Sequence, residues 1–216
     1  MNNRKYQLIV FDWDGTIIDS QAHIIQSMQR AIAEEALHMP TTDEIRHIIG
    51  LSLNGAIATL FPGADGATVE RVAQHYREHF FSAGEQPSEL FDHAADTIQD
   101  LHARGYYLAV ATGKGRQGLD IALRTTGLRR FFHITRCADE TRSKPDPMML
   151  DEILTDLDLS AGDAIMVGDT SYDLDMASNI GMDSVAVSYG MHDVELLQSR
   201  NPTYLIHSID QISQHV

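Results

Sequence analysis

Short apolar runs without polar alternation recur along the chain: YQLIVF (6–11), YYLAVA (106–111), HITRC (133–137), AIMVG (164–168), SVAVSY (184–189) and TYLI (203–206). A strand with one wet face alternates apolar and polar residues, whereas a strand covered on both faces does not. The runs therefore predict a parallel sheet buried between layers of helix. Helical stretches separate most of them. HAADTIQDLHAR (93–104) stops at Gly105 and GLDIALRTT (118–126) at Gly127, each a glycine just past a helix end, where a left-handed backbone is favoured. PMMLDEILTDL (147–157) opens on Pro147, whose fixed φ suits a first turn, and SYDLDMASNI (171–180) stops at Gly181. From residue 93 onward this alternation predicts an α/β fold, a Rossmann-like doubly wound parallel sheet.

One gap breaks the rhythm. Between the first strand and residue 93 no strand pattern appears, only helical periodicity. SQAHIIQSMQRAIAEEAL (20–37) lines up Ile24, Ile25, Met28, Ala31 and Ile32; Thr41 and Glu44 form a capping-box pair before IRHII; TVERVAQHYREHFF (68–81) is amphipathic. The expected organisation is a core of residues 1–18 and 89–216 with an all-helical insert, 19–88. The insert leaves after the first strand's carboxyl end, where ligands bind in such sheets, and so reads as a lid.

A length of 216 residues with 43% hydrophobic content suits one good-sized domain carrying an insert. The net charge of −15 opposes nucleic acid and anionic membranes as partners. It leaves room for a small anionic ligand where a metal and a few cations reverse the field locally. Cys137 is the sole cysteine, so no intrachain disulfide forms. The apolar run before Asp12 is too short for a signal peptide or membrane span, so a cytoplasmic protein, monomer or homodimer, is expected.

Four strand or loop ends carry polar groups. FDWDGT (11–16) delivers Asp12 and Asp14 to the first strand's end, with Gly15 allowing an abrupt turn. Carboxylates that close repel unless a cation lies between them, although an acidic turn can simply end a strand. GDTSYD (168–173) ends another buried strand in Asp169, with Asp173 a helical turn on; helix capping is the competing explanation. SKPDP (143–147) offers Lys144, which by itself reads as a solvated charge, and Thr112 ends YYLAVA with Gly113 beside it.

In this order the motifs resemble those of the haloacid dehalogenase-like superfamily of phosphohydrolases, over nearly the whole chain. FDWDGTIIDS, ATGK, SKPDP and GDTSYD stand where that family has its four motifs, and the insert resembles its first type of helical cap. The wording of SKPDP and GDTSYD is most similar to the phosphoglycolate phosphatase and β-phosphoglucomutase branch. The resemblance implies a sheet order of 5-4-1-2-3 and an aspartyl-phosphate on Asp12, with Asp14 as acid and base. It implies Mg²⁺ held by Asp12, the main-chain carbonyl of Asp14, and Asp169. Thr112, the Gly113 N–H and Lys144 would bind phosphoryl oxygens, while Asp173 would orient Lys144 or a metal-bound water. The implied substrate is a small phosphorylated metabolite. A sugar-phosphate mutase and a pyrophosphatase of the same superfamily stay open, as does, more remotely, a non-catalytic phosphoacceptor module. The motif T-G-K departs from the family, where many members have asparagine after the threonine or serine.

Two motifs compete with this reading. Gly113, Gly115 and Gly118 form G-x-G-x-x-G after a strand, with Asp139 about twenty residues on, the pattern of a dinucleotide site. That reading leaves Asp12, Asp14, Lys144 and Asp169 without a role. HYREH (75–79) matches a zinc-peptidase pattern but lacks a third ligand, so an exposed helix face is expected. Arg77 is placed to reach a substrate carboxylate, and the loop IGLSLNGA (49–56), preceded by Arg46 and His47, to contact a leaving group. Trp13 and Cys137 are expected to be buried and inert.

Overall fold

The computed structural model describes residues 5–82 and 89–216. The chain runs through β1 (Leu8–Phe11), β2 (Ile18–Asp19), α1 (Gln21–Glu34), α2 (Thr42–His47), α3 (Leu53–Leu60), α4 (Gly66–Phe80), β3 (Glu89–Leu90), α5 (Ala94–Ala103), β4 (Tyr107–Thr112) and α6 (Arg116–Thr126). It continues through β5 (Ile134–Cys137), α7 (Met148–Leu157), β6 (Ala164–Gly168), α8 (Ser171–Ser178), β7 (Asp183–Val187), α9 (Val194–Gln198) and β8 (Tyr204–Ile206).

Six strands form one parallel sheet in the order β5-β4-β1-β6-β7-β8. Numbered by their own chain order these are 3-2-1-4-5-6, which is the implied 5-4-1-2-3 read from the other edge with one further strand. β1 lies at the centre, with Phe11 in register with Val110 of β4 and Val167 of β6. After β1 the sheet grows first to one side and then to the other, so the carboxyl ends of β1, β4 and β6 open into the crevice where such sheets bind ligands.

Both faces of the sheet are dry, which is why the strands lack alternation. Ile9 and Phe11 join Leu108, Val110, Ile165 and Val167 in one core cluster; Leu8 and Val10 join Ala109, Ala111, Ala164 and Met166 in another. Trp13 packs into the first, its ring 6.1 Å from that of Phe132. Cys137 is buried there too, and burial pushes its thiol up to about 12, so it is not a thiolate near neutral pH.

Helices α1 to α4 surround a separate apolar cluster containing Ile24, Ile25, Met28, Ala31, Ile32, Ile57 and Val72. Burying each large aliphatic contributes about 1.5–3 kcal/mol. Thr41 and Glu44 make the reciprocal capping box read from the sequence, and Asp65 accepts from the Thr68 N–H at 2.8 Å to start α4. The sequence reading placed no strand between β1 and residue 93, and here it fails. β2 and β3 pair antiparallel, Ile18 opposite Leu90 and Asp19 opposite Glu89, where the chain leaves and rejoins the sheet domain. Two-residue strands are too short to show a period. Helix α3 was likewise missed as a helix, being short and carrying Gly55 in its first turn. The end expected for the insert, residue 88, lies outside the described residues. Among the described residues, no helix is long and apolar enough to cross a membrane.

Candidate active site

Parallel strands bring the sequence-predicted residues together from four places. The Asp12 N–H donates to the Val167 carbonyl at 2.9 Å, extending the β1–β6 ladder by one bond and fixing Asp12 beside the end of β6. Asp169 follows β6 directly, Thr112 ends β4, and Lys144 arrives on the loop before α7. Asp12, Asp169 and Asp173 are buried, and one carboxylate oxygen of each lies within 4.8 Å of the others.

Lys144 is equally buried. Its Nζ donates to Asp173 Oδ1 at 2.5 Å and stands 2.8 Å from Asp12 Oδ1, in an ion-pair contact whose direction falls outside hydrogen bonding. Neither oxygen of Asp12 has a hydrogen-bond partner. The other carboxylates are anchored. Asp169 Oδ1 accepts from Thr16 Oγ1 at 2.7 Å and Oδ2 from the Met191 N–H at 2.8 Å. Asp173 Oδ2 accepts from the N–H and hydroxyl of Thr170, so the capping explanation of this aspartate holds alongside its contact with Lys144.

Three buried carboxylates thus cluster around a site in which one ammonium meets two of them. Burial pushes Asp12 up to about 7 against the lowering effect of Lys144, and burial likewise holds Asp169 well above the usual carboxylate range. For Lys144, burial acts downward, but Asp12 and Asp173 outweigh it and hold the ammonium above the ordinary lysine range. Three carboxylates clustered in a buried site, two of them driven toward the protonated form by burial, and the Asp12 oxygens without hydrogen-bond partners fit a small, hard divalent cation that prefers oxygen ligands and would offset the burial of their charge.

The carboxylate of Asp14 stands apart from this group, so its implied part in holding a cation rests on its main-chain carbonyl. Its Oδ1 accepts from Ser20 Oγ at 2.7 Å, and both its oxygens accept from Lys114 Nζ, at 2.9 and 2.8 Å. Lys114 Nζ also lies 4.7 Å from the centre of the Phe80 ring on α4. The Thr112 hydroxyl accepts from the Lys114 N–H at 3.2 Å. Asp12, Asp14, Thr112, Gly113 and Lys114 line one side of a cavity of about 370 Å³, which Ile24, Met28, Tyr76 and Phe80 close from the helical unit.

Sequence reasoning missed how closely the two parts are joined. Gly113 lies so near the loop after α2 that a Cβ on it would meet the Gly50 carbonyl at 2.4 Å. The Ser52 N–H donates to Ser143 Oγ at 2.7 Å, and Tyr172 Oη donates to the His47 carbonyl at 3.1 Å. Met191 packs into the helical cluster while its N–H holds Asp169. Gly190 is also required, since a Cβ there would stand 2.2 Å from Asp169 Cβ. A glycine in a loop after the last long apolar run carries no signal of that contact. Arg77, expected to face a substrate, pairs with Glu70 at 3.0 Å although it borders the cavity, and Arg46 pairs with Asp43 at 2.9 Å.

The two competing motifs are explained structurally. The Arg116 N–H at the start of α6 donates to both oxygens of Asp139, so the helix terminus that would hold a pyrophosphate already holds a carboxylate. Gly118 makes room for the Lys114 stem, whose Cγ lies 3.1 Å from the site of a Cβ. His75 and His79 both contact Glu34 on α1, each at 2.6 Å, and clasp α4 to α1.

A family model described as haloacid dehalogenase-like hydrolase matches residues 9–187. The chain is 26% identical over 209 residues to pyrophosphatase PpaX of Bacillus mycoides (strain KBAB4), spanning 96% of this chain and 95% of that one. It is 30% identical over 213 residues to Probable phosphatase IndB of Dickeya dadantii (strain 3937), spanning 95% and 91%. A solved structure from Haemophilus somnus 129pt, titled a predicted phosphoglycolate phosphatase, shares the fold with a TM-score of 0.85 at 20% identity, over 99% of both chains. The matched span runs from β1 to β7 and so includes every motif at the strand ends: this chain is an enzyme that belongs to the haloacid dehalogenase-like hydrolase family.

Proposed function

We propose that the protein is a Mg²⁺-dependent phosphatase that hydrolyses a small phosphate monoester through an aspartyl-phosphate on Asp12. The observation that carries the reading is buried Asp12 lining the cavity, with neither oxygen anchored by a hydrogen bond and one of them 2.8 Å from the ammonium of a fully buried lysine. An Asp12 oxygen attacks phosphorus, the ester P–O bond breaks, and Asp14 gives its proton to the leaving oxygen. Water then attacks phosphorus, the bond to Asp12 breaks, and Asp14 takes the proton from that water. Lys144 and the Thr112 hydroxyl, with the Gly113 N–H, hold the phosphoryl oxygens, and Asp173 keeps Lys144 in place. Asp12, Asp169 and the Asp14 carbonyl would hold Mg²⁺, with Asp173 reaching it through water. When bound, Mg²⁺ supplies the charge neutralisation that lets an anionic carboxylate approach an anionic phosphate. Residues 19–88 act as a cap that excludes water from the cavity.

A second reading, cleavage of pyrophosphate by the same chemistry, is supported by the similarity to PpaX. The test is phosphate release from p-nitrophenyl phosphate, pyrophosphate and a panel of small phosphate esters, with Mg²⁺ and with EDTA. Metal-dependent turnover that disappears in Asp12→Asn is expected. Turnover that survives EDTA or the substitution would overturn the reading.

A further inference from the structure

The Lys114–Asp14 pair poses a problem for the proposed chemistry. A residue that protonates a leaving oxygen needs a carboxyl oxygen facing it, yet both Asp14 oxygens are taken up by Lys114 Nζ. Nor is the lysine there by accident of a mobile surface chain. Its stem runs over Gly118, where a Cβ would sit 3.1–3.4 Å from Cγ, Cδ and Cε, and its ammonium is flanked by the Phe80 ring. Phe80 is itself held by stacking on His23 at 4.3 Å and Tyr76 at 5.5 Å. The side chain is only 11% exposed.

The charge inventory of the cavity then assigns Lys114 a second partner. Among the described residues, its basic lining side chains are Lys114 and Arg77; Arg77 stands at the exposed rim in a surface pair with Glu70, whereas Lys114 lies inside, against Asp14. Lys144 sits deeper, against Asp12 and Asp173, on the phosphoryl side. The wall facing the leaving group is otherwise mainly apolar, with Ile24, Met28, Leu51, Tyr76 and Phe80.

We propose that Lys114 is a specificity-determining residue that binds a negatively charged group on the leaving side of the substrate, and in doing so releases Asp14 to take up a proton from solvent and face the leaving oxygen. This rests on the function proposed above. A substrate with a second anionic group, a carboxylate or another phosphate, offers the ammonium a replacement partner in the same mainly apolar pocket, where a charge-assisted contact is strong. A neutral ester offers none and leaves the pair closed. The same lysine therefore couples recognition to proton transfer.

The experiment compares kcat/KM of the native protein, Lys114→Met and Lys114→Arg on two sets of substrates. Pyrophosphate and 2-phosphoglycolate carry a charged leaving group; ethyl phosphate and phenyl phosphate do not. Lys114→Met is expected to cost the charged set at least about tenfold more than the neutral set, roughly the loss of one charge-assisted contact. Lys114→Arg should keep the native ranking. Equal losses in both sets would overturn the proposal and leave Lys114 a support for Asp14. A binding arm decides independently of turnover: Asp12→Asn should bind pyrophosphate more tightly than inorganic phosphate, and adding Lys114→Met should erase most of that preference. A preference that survives the second substitution would overturn the proposal. Absence of turnover on every ester would instead defeat the proposed function.

Discussion

Lys144 Nζ donates to Asp173 Oδ1 at 2.5 Å, with both side chains fully buried. The same carboxylate caps α8 through Thr170, so one residue closes a helix and holds the ammonium against Asp12. Removing it leaves a buried cation with one partner. Asp173→Ala is expected to destabilise the metal-free protein by about 3–5 kcal/mol, the usual cost of breaking a buried pair from one side. Asp173→Asn, which can still accept from Thr170, should cost less. Urea unfolding checks both, and a loss below about 1 kcal/mol for alanine would contradict the assigned role.

Metal binding and pH should be linked. Burial raises Asp12 to about 7 and Asp169 well above the carboxylate range, so in the metal-free fold protonation of these groups is favoured. A raised acid contributes stability that is present at low pH and lost as pH rises through the folded value. A cation must displace those protons, so its binding strengthens as pH rises through about 7. The rise in Tm produced by excess Mg²⁺ should be small near about pH 5.5 and clearly larger near about pH 8. Equal shifts at both values would count against Asp12 and Asp169 as ligands.

Gly190 should tolerate no side chain. A Cβ there would stand 2.3 Å from Asp169 Oδ2, and nothing flexible lies between them. Gly190→Ala must push either Asp169 or the Met191 loop aside. Overpacking of this kind costs about 1–3 kcal/mol, and displacement of a catalytic group by about 1 Å costs about a hundredfold in rate. Both losses are expected, in unfolding and in kcat. A variant as active as the native protein would show that Asp169 need not stay where the Met191 N–H holds it.

What the sequence displayed, and what it hid, follows from the range of the interactions. The β1, β4 and β6 runs were legible because burial on both faces of the sheet imposes a continuous apolar pattern on each strand. The gathering of Asp12, Asp14, Thr112 and Asp169 at one end of the sheet was legible because each sits at or just past a strand end, whereas Lys144 lies on a loop and stood out only through the family resemblance of SKPDP. The Lys114–Asp14 pair spans 100 residues of sequence and depends on the stem passing over Gly118, which no local pattern reports. Gly190 matters only through Asp169, and β2 with β3 were too short to have a pattern. The G-x-G-x-x-G pattern, already set aside as a dinucleotide site, reflects one glycine that meets Gly50, one that meets Asp139 and one that meets Lys114, three unrelated contacts.

The seam between the two parts should weaken in acid. His192 Nδ1 accepts from the Ser171 N–H at 3.0 Å, so the proton is assigned to Nε2, 3.0 Å from the His47 carbonyl. Burial holds this imidazole below the ordinary value of 6.5. A depressed histidine contributes stability that is present above the unfolded value and lost as pH falls through the folded one. This contribution opposes the gain that Asp12 and Asp169 bring to the metal-free protein as pH falls, so His192→Gln should leave the acid limb below about pH 6.5 relatively more stable than in the native protein. An unchanged acid limb in the variant would assign it to other groups.

The central claim is that Asp12 carries the phosphoryl group. The most direct measurement is acid quenching of the enzyme during turnover of a phosphate ester labelled in the phosphoryl group, with Mg²⁺ present, followed by mapping of the labelled peptide. The account predicts label on Asp12, absent from Asp12→Asn and from samples in EDTA. Label on another side chain, or steady turnover with no labelled enzyme at any quench time, would contradict it.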